Sequence, residues 1–374
     1  MTYLLILRGK LKLSRTKRQS GIELLRIISM LQIIFLHVFA YGQLSEGSMQ
    51  AGTLDSLAVN IMWAFCRPPV DVFMMISGYF LVTSSFNIKK TLKRGGTVYG
   101  AMIFYSLIIS AVVFIIDPSK INVNSCVSAF TPFLSKTWYF LSDYLIVLLL
   151  SPFINKMLVS ITKKQYLYLL GIVIGVMSVW STLAGIDGIK NVISIDKIVD
   201  EFYGKSLGGF LMFYMIGGYL RLHIKKKEGK TKPNLLYLAV YLGLCLLDLG
   251  IRGLFVEYEP VFGMFNNPIV LAEGVVLILL FRDMTFSSKA INTIAGTTLG
   301  IYAIHENPYV RDWIWSVFNF SDIHLYDSLI YIPLAILAVA AVFIACSLLE
   351  LLRLKLFKLV GDIAAKRKNK NLSQ

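Results

Sequence analysis

The sequence predicts an all-α, polytopic membrane protein with about ten transmembrane helices and both termini cytoplasmic. Three observations carry that expectation. Of 374 residues, 56% are hydrophobic and 16% charged, with mean hydropathy +0.67, whereas a soluble domain keeps nearer a quarter of its residues charged. The apolar residues fall in runs of about 15–25, long enough to cross a hydrocarbon layer of roughly 30 Å. The short polar/apolar alternations of a membrane barrel are absent. Finally, the basic residues cluster in the links between runs. Assigning every second link to the cytoplasm places 28 of 37 Lys and Arg there, while the opposite links and their margins carry 13 acids. That is the positive-inside pattern. It directs the net charge of +15 toward an anionic inner leaflet and excludes nucleic acid as the partner.

Residues 1–20 form a basic cytoplasmic segment with six Lys or Arg and no acid. A membrane domain spans 21–352, and 353–374 is a basic cytoplasmic tail. The first span, about 23–42, is followed by a second, 57–83, which Arg67-Pro68-Pro69-Val70-Asp71 interrupts. Two prolines remove amide donors and disfavour helix just before them, so this span should break there. Lys89, Lys90, Lys93 and Arg94 precede a third span, about 97–116. The fourth, about 133–155, contains Trp138, Tyr139 and Asp143, and the fifth covers about 165–184. A mixed segment, 185–205, reads as an external loop. The sixth span, about 206–220, is short and glycine-rich, and the most basic internal loop, Arg221–Lys232, follows it. Spans near 234–254 and 264–281 flank Glu257 and Glu259. A ninth, 291–304, runs into His305-Glu306-Asn307-Pro308, and the tenth covers about 328–352.

Candidate chemistry begins with Arg26 and His37 in the first span. Eleven residues apart on a helix, they share a face and stand about 16 Å apart along the axis. Both are expensive in hydrocarbon, so that face should look into protein or water. A histidine suits general-base work near neutral pH, and an arginine at the membrane edge suits an anionic phosphate. The alternative is a snorkelling arginine and a histidine that satisfies a helix–helix hydrogen bond.

Arg67 and Asp71 flank the proline pair and either form an ion pair with each other or line a substrate site at a broken helix. Ser77 and Gly78 are small enough for close helix approach. Lys90, Lys93 and Arg94 are either orientation charges or a grip on cofactor phosphates. Asp143 and Glu273 are lone acids in apolar runs and should face the bundle interior. His305-Glu306 lies at the outer end of its span, as a satisfied pair or as part of a site. Four dispersed cysteines (Cys66, Cys126, Cys245, Cys346) define neither a disulfide frame nor a metal set. With no Walker A, dinucleotide fingerprint or H-E-x-x-H present, neither nucleotide hydrolysis nor redox or zinc chemistry is expected, and no metal.

Several stretches in order resemble the acyltransferase 3 family of integral-membrane acyltransferases. GIELLRIISMLQIIFLH is similar to that family's first helix, with its R-x10-H element at Arg26 and His37. DVFMMISGYFL resembles its second-helix segment, and KTWYFLSDYLIVLLLSPFINKML, containing Trp138, its aromatic helix ending in proline. SLGGFLMFYMIGGYL looks like the glycine-ended middle helix and IYAIHENPYV like the late Y-x-x-H-x-x element. The likeness covers about residues 20–350. It implies an O-acyltransferase, most simply an O-acetyltransferase, in a bacterial plasma membrane. The donor would be cytoplasmic acetyl-CoA or another acyl-CoA, and the acceptor a cell-surface polysaccharide or lipid-linked glycan. It also implies His37 as catalytic base or acyl relay, with Arg26 supporting the donor. One departure stands out: where many members carry R-x-x-R after the second helix, this chain reads KKTLKR, so Lys90 with Lys93 or Arg94 stands in. Lysine keeps the charge but lacks the bidentate fork. The alternative reading is a polysaccharide exporter or another secondary transporter, which a broken helix and buried charges also fit.

Overall fold

The computed structural model describes residues 20–42, 54–184, 204–226, 232–254, 265–318, 320 and 329–372. The described residues are helical, with no strand among them. The first seven helices are α1 (Gly21–Ala40), α2 (Leu54–Cys66), α3 (Pro69–Leu81), α4 (Ile88–Ile116), α5 (Val123–Phe130), α6 (Tyr139–Ser160) and α7 (Lys163–Ala184). After them come α8 (Leu207–His223), α9 (Leu235–Leu254), α10 (Pro268–Arg282), α11 (Lys289–Ala295), α12 (Thr298–His305), α13 (Pro308–Val317) and α14 (Tyr331–Leu372).

Among the described residues, six helical stretches are long and apolar enough to cross a bilayer: 21–40, 57–81, 88–116, 139–160, 163–184 and 331–363. Helices α8 and α10 are only 17 and 15 residues long, and the ninth expected stretch is two short helices, α11 and α12. The expected external loop 185–205 and the link 43–53 lie almost wholly outside the described residues.

Local chemistry explains the boundaries. The second span breaks at Arg67-Pro68, and Pro69 opens α3, where its missing amide has no helical partner to lose. α4 starts nine residues earlier than the apolar run suggests, because the Asn87 side chain accepts from the Lys90 amide at 2.9 Å and caps it. Lys89–Arg94 therefore sit in the opening turns of a helix instead of a free link. α7 opens on a capping box between Thr162 and Gln165 and carries a π-turn at Gly175–Trp180. At the other end of the chain α14 continues past residue 352 without a break.

α1 lies at the centre, packed against α2, α3, α10, α11, α12 and α14. Its start is pinned across the fold: the Ser20 amide donates to the Phe286 carbonyl at 2.8 Å, and the Ser20 hydroxyl accepts from the Ser288 amide at 2.8 Å. α3 and α8 make the closest helix pair. A Cβ on Gly78 would run into the Tyr214 carbonyl, and one on Gly217 into the Met75 carbonyl, so each helix supplies a glycine to the other's backbone. At the periphery, α4, α7 and α14 present Ile108, Ile115, Ile116, Leu167, Ile172, Leu337 and Leu348 outward. Contiguous exposed surface of this kind needs an apolar partner, which for helices of this length is lipid.

Candidate functional site

Arg26, Met30, Ile33 and His37 follow one another at helical spacing on α1 and form the wall of two cavities. The first, about 240 Å³, is lined by Arg26 with Phe73, Ser77, Tyr144, Thr298 and their neighbours. The second, about 190 Å³, holds His37, Tyr41, Trp63, Arg67, Lys205 and Glu306. Ile33, Phe140 and Tyr302 belong to both walls. The two chambers are thus neighbours that share this wall, with Arg26 lining one and His37 the other. The Phe140 and Tyr302 ring centroids are 5.5 Å apart.

His37 is oriented by the turn that ends α12. Its Nδ1 lies 3.1 Å from His305 Nε2 and 3.1 Å from a Glu306 carboxylate oxygen. The other His305 nitrogen, Nδ1, stands 2.6 Å from the Ile301 carbonyl. A carbonyl only accepts, so neutral His305 carries its proton on Nδ1 and offers a lone pair at Nε2. His37 must then donate from Nδ1, which leaves its own Nε2 as the basic nitrogen. Glu306 sits beside that N–H, off the hydrogen-bond axis, where its charge favours an imidazolium when one forms. The carboxylate is itself held: the Tyr41 hydroxyl donates to it at 3.4 Å and Arg311 approaches to 3.6 Å. The Arg311 guanidinium also lies 4.5 Å over the Tyr41 ring. Among the described residues, His37, His305 and Glu306 are the group whose side chains place three ligand-type atoms within 4.8 Å. They could together ligate a divalent ion only by giving up the His37 N–H bond.

At the other end of the face, Arg26 lies 3.2 Å from Glu23 and 5.5 Å over the Phe80 ring, with about a quarter of its side chain exposed. Ser77 lines the same chamber and donates to the Phe73 carbonyl at 3.0 Å. Lys90 and Lys93 are exposed and Arg94 half-buried on α4, and none of the three lines either chamber.

Of the two readings of Arg67 and Asp71, a hydrogen-bonded pair between them is not the one seen, since Arg67 takes another partner. Arg67 lines the His37 chamber and bonds Asp248 of α9 at 2.6 Å, with both side chains buried. The broken span turns Arg67 toward α9, while Asp71, one turn into α3, is buried with neither oxygen hydrogen-bonded among the described residues. Asp143 is buried and lies 3.6 Å from the exposed Lys136. Trp138 is buried in the core beside α6 and lines neither chamber.

Sequence reasoning did not single out Lys205, Tyr41 or Arg311, and it met Tyr302 only as the first residue of the Y-x-x-H-x-x element, without giving it a role. Lys205, poised 5.5 and 5.4 Å from the Tyr139 and Phe265 rings, carries no local signal in a mixed loop.

A lipid-facing helical bundle with a histidine-centred site inside it defines an integral-membrane protein that can do proton chemistry within its transmembrane body. The chain belongs to the acyltransferase 3 family, whose model, an acyltransferase domain, matches residues 19–351. It is a membrane acyltransferase. No curated protein and no solved structure gives a match.

Proposed function

We propose that this protein is a bacterial plasma-membrane O-acyltransferase, most simply an O-acetyltransferase, that carries an acyl group from cytoplasmic acyl-CoA to a hydroxyl of a surface or lipid-linked glycan. The observation that carries this reading is the pair of neighbouring chambers on α1, with Arg26 lining one, His37 the other, and Ile33, Phe140 and Tyr302 in the wall of both; in this reading that shared wall is a narrowing through which they connect. In this reading the protein has ten spans with both termini cytoplasmic, so the Arg26 chamber opens inward and the His37 chamber outward. Arg26 neutralises donor phosphate at the membrane edge, and Lys90, Lys93 and Arg94 raise the local concentration of the anionic donor from the same side. The Arg26–His37 axial separation of about 16 Å is comparable to the pantetheine arm that must cross the narrowing.

Transfer then proceeds on His37. Its Nε2 removes the acceptor hydroxyl proton, the hydroxyl oxygen bonds to the thioester carbon, the carbon–sulfur bond breaks, and the thiolate takes the proton back. In a relay, Nε2 instead attacks the thioester carbon, the carbon–sulfur bond breaks to release the thiolate, and the acceptor oxygen then displaces the ring from the acyl carbon, its proton passing to Nε2 and on to the thiolate. The aromatic wall of the outer chamber, with Trp63, Tyr41 and Tyr139, suits the face of a sugar ring.

The test is thiol release from acyl-CoA by purified protein, with labelled acyl groups recovered in the glycan fraction of membranes that contain it. Movement of a saccharide across proteoliposomes without thioester cleavage would replace this reading with the exporter. For the topology, a reporter after Gln374 or within Lys225–Lys232 should be cytoplasmic and one near Glu257 external. An external 225–232 loop would overturn the ten-span arrangement.

A further inference from the structure

The wall shared by the two chambers holds a polar group that the base mechanism leaves unused. Tyr302 lines both cavities and is 6% exposed. Its hydroxyl is enclosed, with no hydrogen-bond partner of normal geometry among the described residues. Buried phenols normally find a partner, so an unmet O–H at a substrate passage is an unusual thing to retain.

Two neighbours give it meaning. The ring stands edge-on to His305 at 5.9 Å, one helical turn before the residue that orients His37. Opposite it, α6 begins at Tyr139, and the Trp138 side chain before it makes no capping hydrogen bond. The first amides of a helix have no partner within it and form its positive end. Tyr139 and Phe140 of that turn line the His37 chamber, Phe140 and Leu141 the Arg26 chamber, and the Phe140 amide lies beside the Tyr302 hydroxyl. The Tyr302 phenol and the first turn of α6 therefore meet at one point, where the phenol O–H has no acceptor among the described residues. A group that carries negative charge only in passing would be stabilised there without reorganisation.

We infer that Tyr302, backed by the first turn of α6, is the oxyanion donor of this enzyme: its O–H donates to the thioester carbonyl oxygen while the reacting carbon is lodged at the narrowing. The inference rests on the acyl-transfer reading above. When the acceptor oxygen adds to the carbonyl carbon, the C=O electron pair moves onto oxygen and the displaced proton goes to His37 Nε2. Tyr302 gives a hydrogen bond and keeps its proton. As the C=O re-forms the carbon–sulfur bond breaks, and the thiolate takes the proton from the His37 imidazolium. Phe140 and Ile33 close the passage around the thioester, so water is kept from competing with the acceptor.

The experiment compares wild type, Tyr302→Phe and His37→Ala, each as the full chain in proteoliposomes, with acetyl-CoA as donor. Tyr302→Phe keeps the ring and its packing. It should lower kcat by about 10²–10³-fold, as loss of one oxyanion donor does elsewhere, while the donor KM stays within about threefold. A kcat within threefold of wild type, or a raised KM with unchanged kcat, would make Tyr302 a wall of the passage and overturn the inference. If Tyr302→Phe does not fold, fluorotyrosines incorporated at position 302 keep the donor and vary its acidity. In that series kcat should change with phenol acidity, and a flat response overturns the inference. His37→Ala separates the two claims: if it is inactive while Tyr302→Phe is normal, only the oxyanion role fails. If His37→Ala is fully active, the acyl-transfer reading on His37 fails instead.

Discussion

The imidazoles of His37 and His305 meet Nδ1 to Nε2 at 3.1 Å, although 268 residues separate them. One sits on the central helix and the other at the end of α12, with its far nitrogen fixed on the Ile301 carbonyl. The pair therefore sets a tautomer as well as a contact. His305 is a positioning residue for His37.

Its replacement should consequently reduce turnover more than donor binding. His305→Ala removes the acceptor for the His37 N–H and frees the ring to rotate, so kcat should fall by about 10–100-fold with donor KM little changed. His305→Gln, whose side-chain oxygen can accept the same N–H, should recover part of the loss. Steady-state kinetics on the two variants decide the matter, since equal losses for Ala and Gln would show a packing role with no bearing on the tautomer.

The α3–α8 contact gives a stability prediction. Gly78→Ala and Gly217→Ala each place a methyl against a carbonyl of the facing helix, Tyr214 and Met75 respectively. Backbone cannot step aside as a side chain can, so each should destabilise by about 1–3 kcal/mol or more. Gly171→Ala, where a Cβ meets nothing within 4 Å, should be neutral or stabilise by about 0.5–1 kcal/mol. Thermal unfolding in detergent ranks the three, and a Gly217→Ala protein as stable as Gly171→Ala would disprove the close contact.

How much of this was legible beforehand differs by scale. The Arg26/His37 register, the break at Arg67-Pro68 and the Asp143 burial all follow from local spacing and proline chemistry, and each can be read along one helix. The partner of Arg67 could not be read that way. Asp71 is four residues away and looks like the obvious counter-ion, but the choice was made by α9, which brings Asp248 in from 181 positions later. The same holds for the two chambers. Ile33, Phe140 and Tyr302 come from three separate apolar runs, and only packing brings them into one wall shared by both chambers. The three shorter stretches at 207–223, 268–282 and 289–305 show a further limit: charge alternation counts links, while the helix lengths between them depend on neighbours.

Donor capture should divide between two sets of cations. Arg26 lines the inner chamber, whereas Lys90 and Lys93 are exposed at the start of α4. Neutralising Lys90, Lys93 and Arg94 together should raise the donor KM several-fold with kcat at saturation nearly unchanged, and the effect should fade at high ionic strength. Arg26→Ala should raise KM even in high salt, because its contact is partly sheltered. Donor titrations at two salt concentrations measure both, and an unchanged KM in the triple variant would leave those three residues as orientation charges only.

The sharpest prediction concerns His37. It is the ring on which the chamber, the tautomer and the register of α1 converge, with Nδ1 engaged by His305 and Nε2 left basic. His37→Ala should insert normally and bind acyl-CoA through Arg26 with near-native affinity, since the donor phosphates lie at the opposite end of the face. Acyl transfer should fall by at least about 10²-fold, the usual loss of a general base, and further if the acyl group also rests on the ring. Arg26→Lys should give an intermediate defect in donor KM, because charge is retained while the planar fork is lost. Acid-quench after mixing with labelled acyl-CoA adds a second readout, in which label trapped on wild type and absent from His37→Ala marks the relay, and none on either marks direct transfer. Transfer by His37→Ala at the wild-type rate, at matched membrane abundance, would remove the base from the mechanism and leave the two chambers to be explained as a transport path.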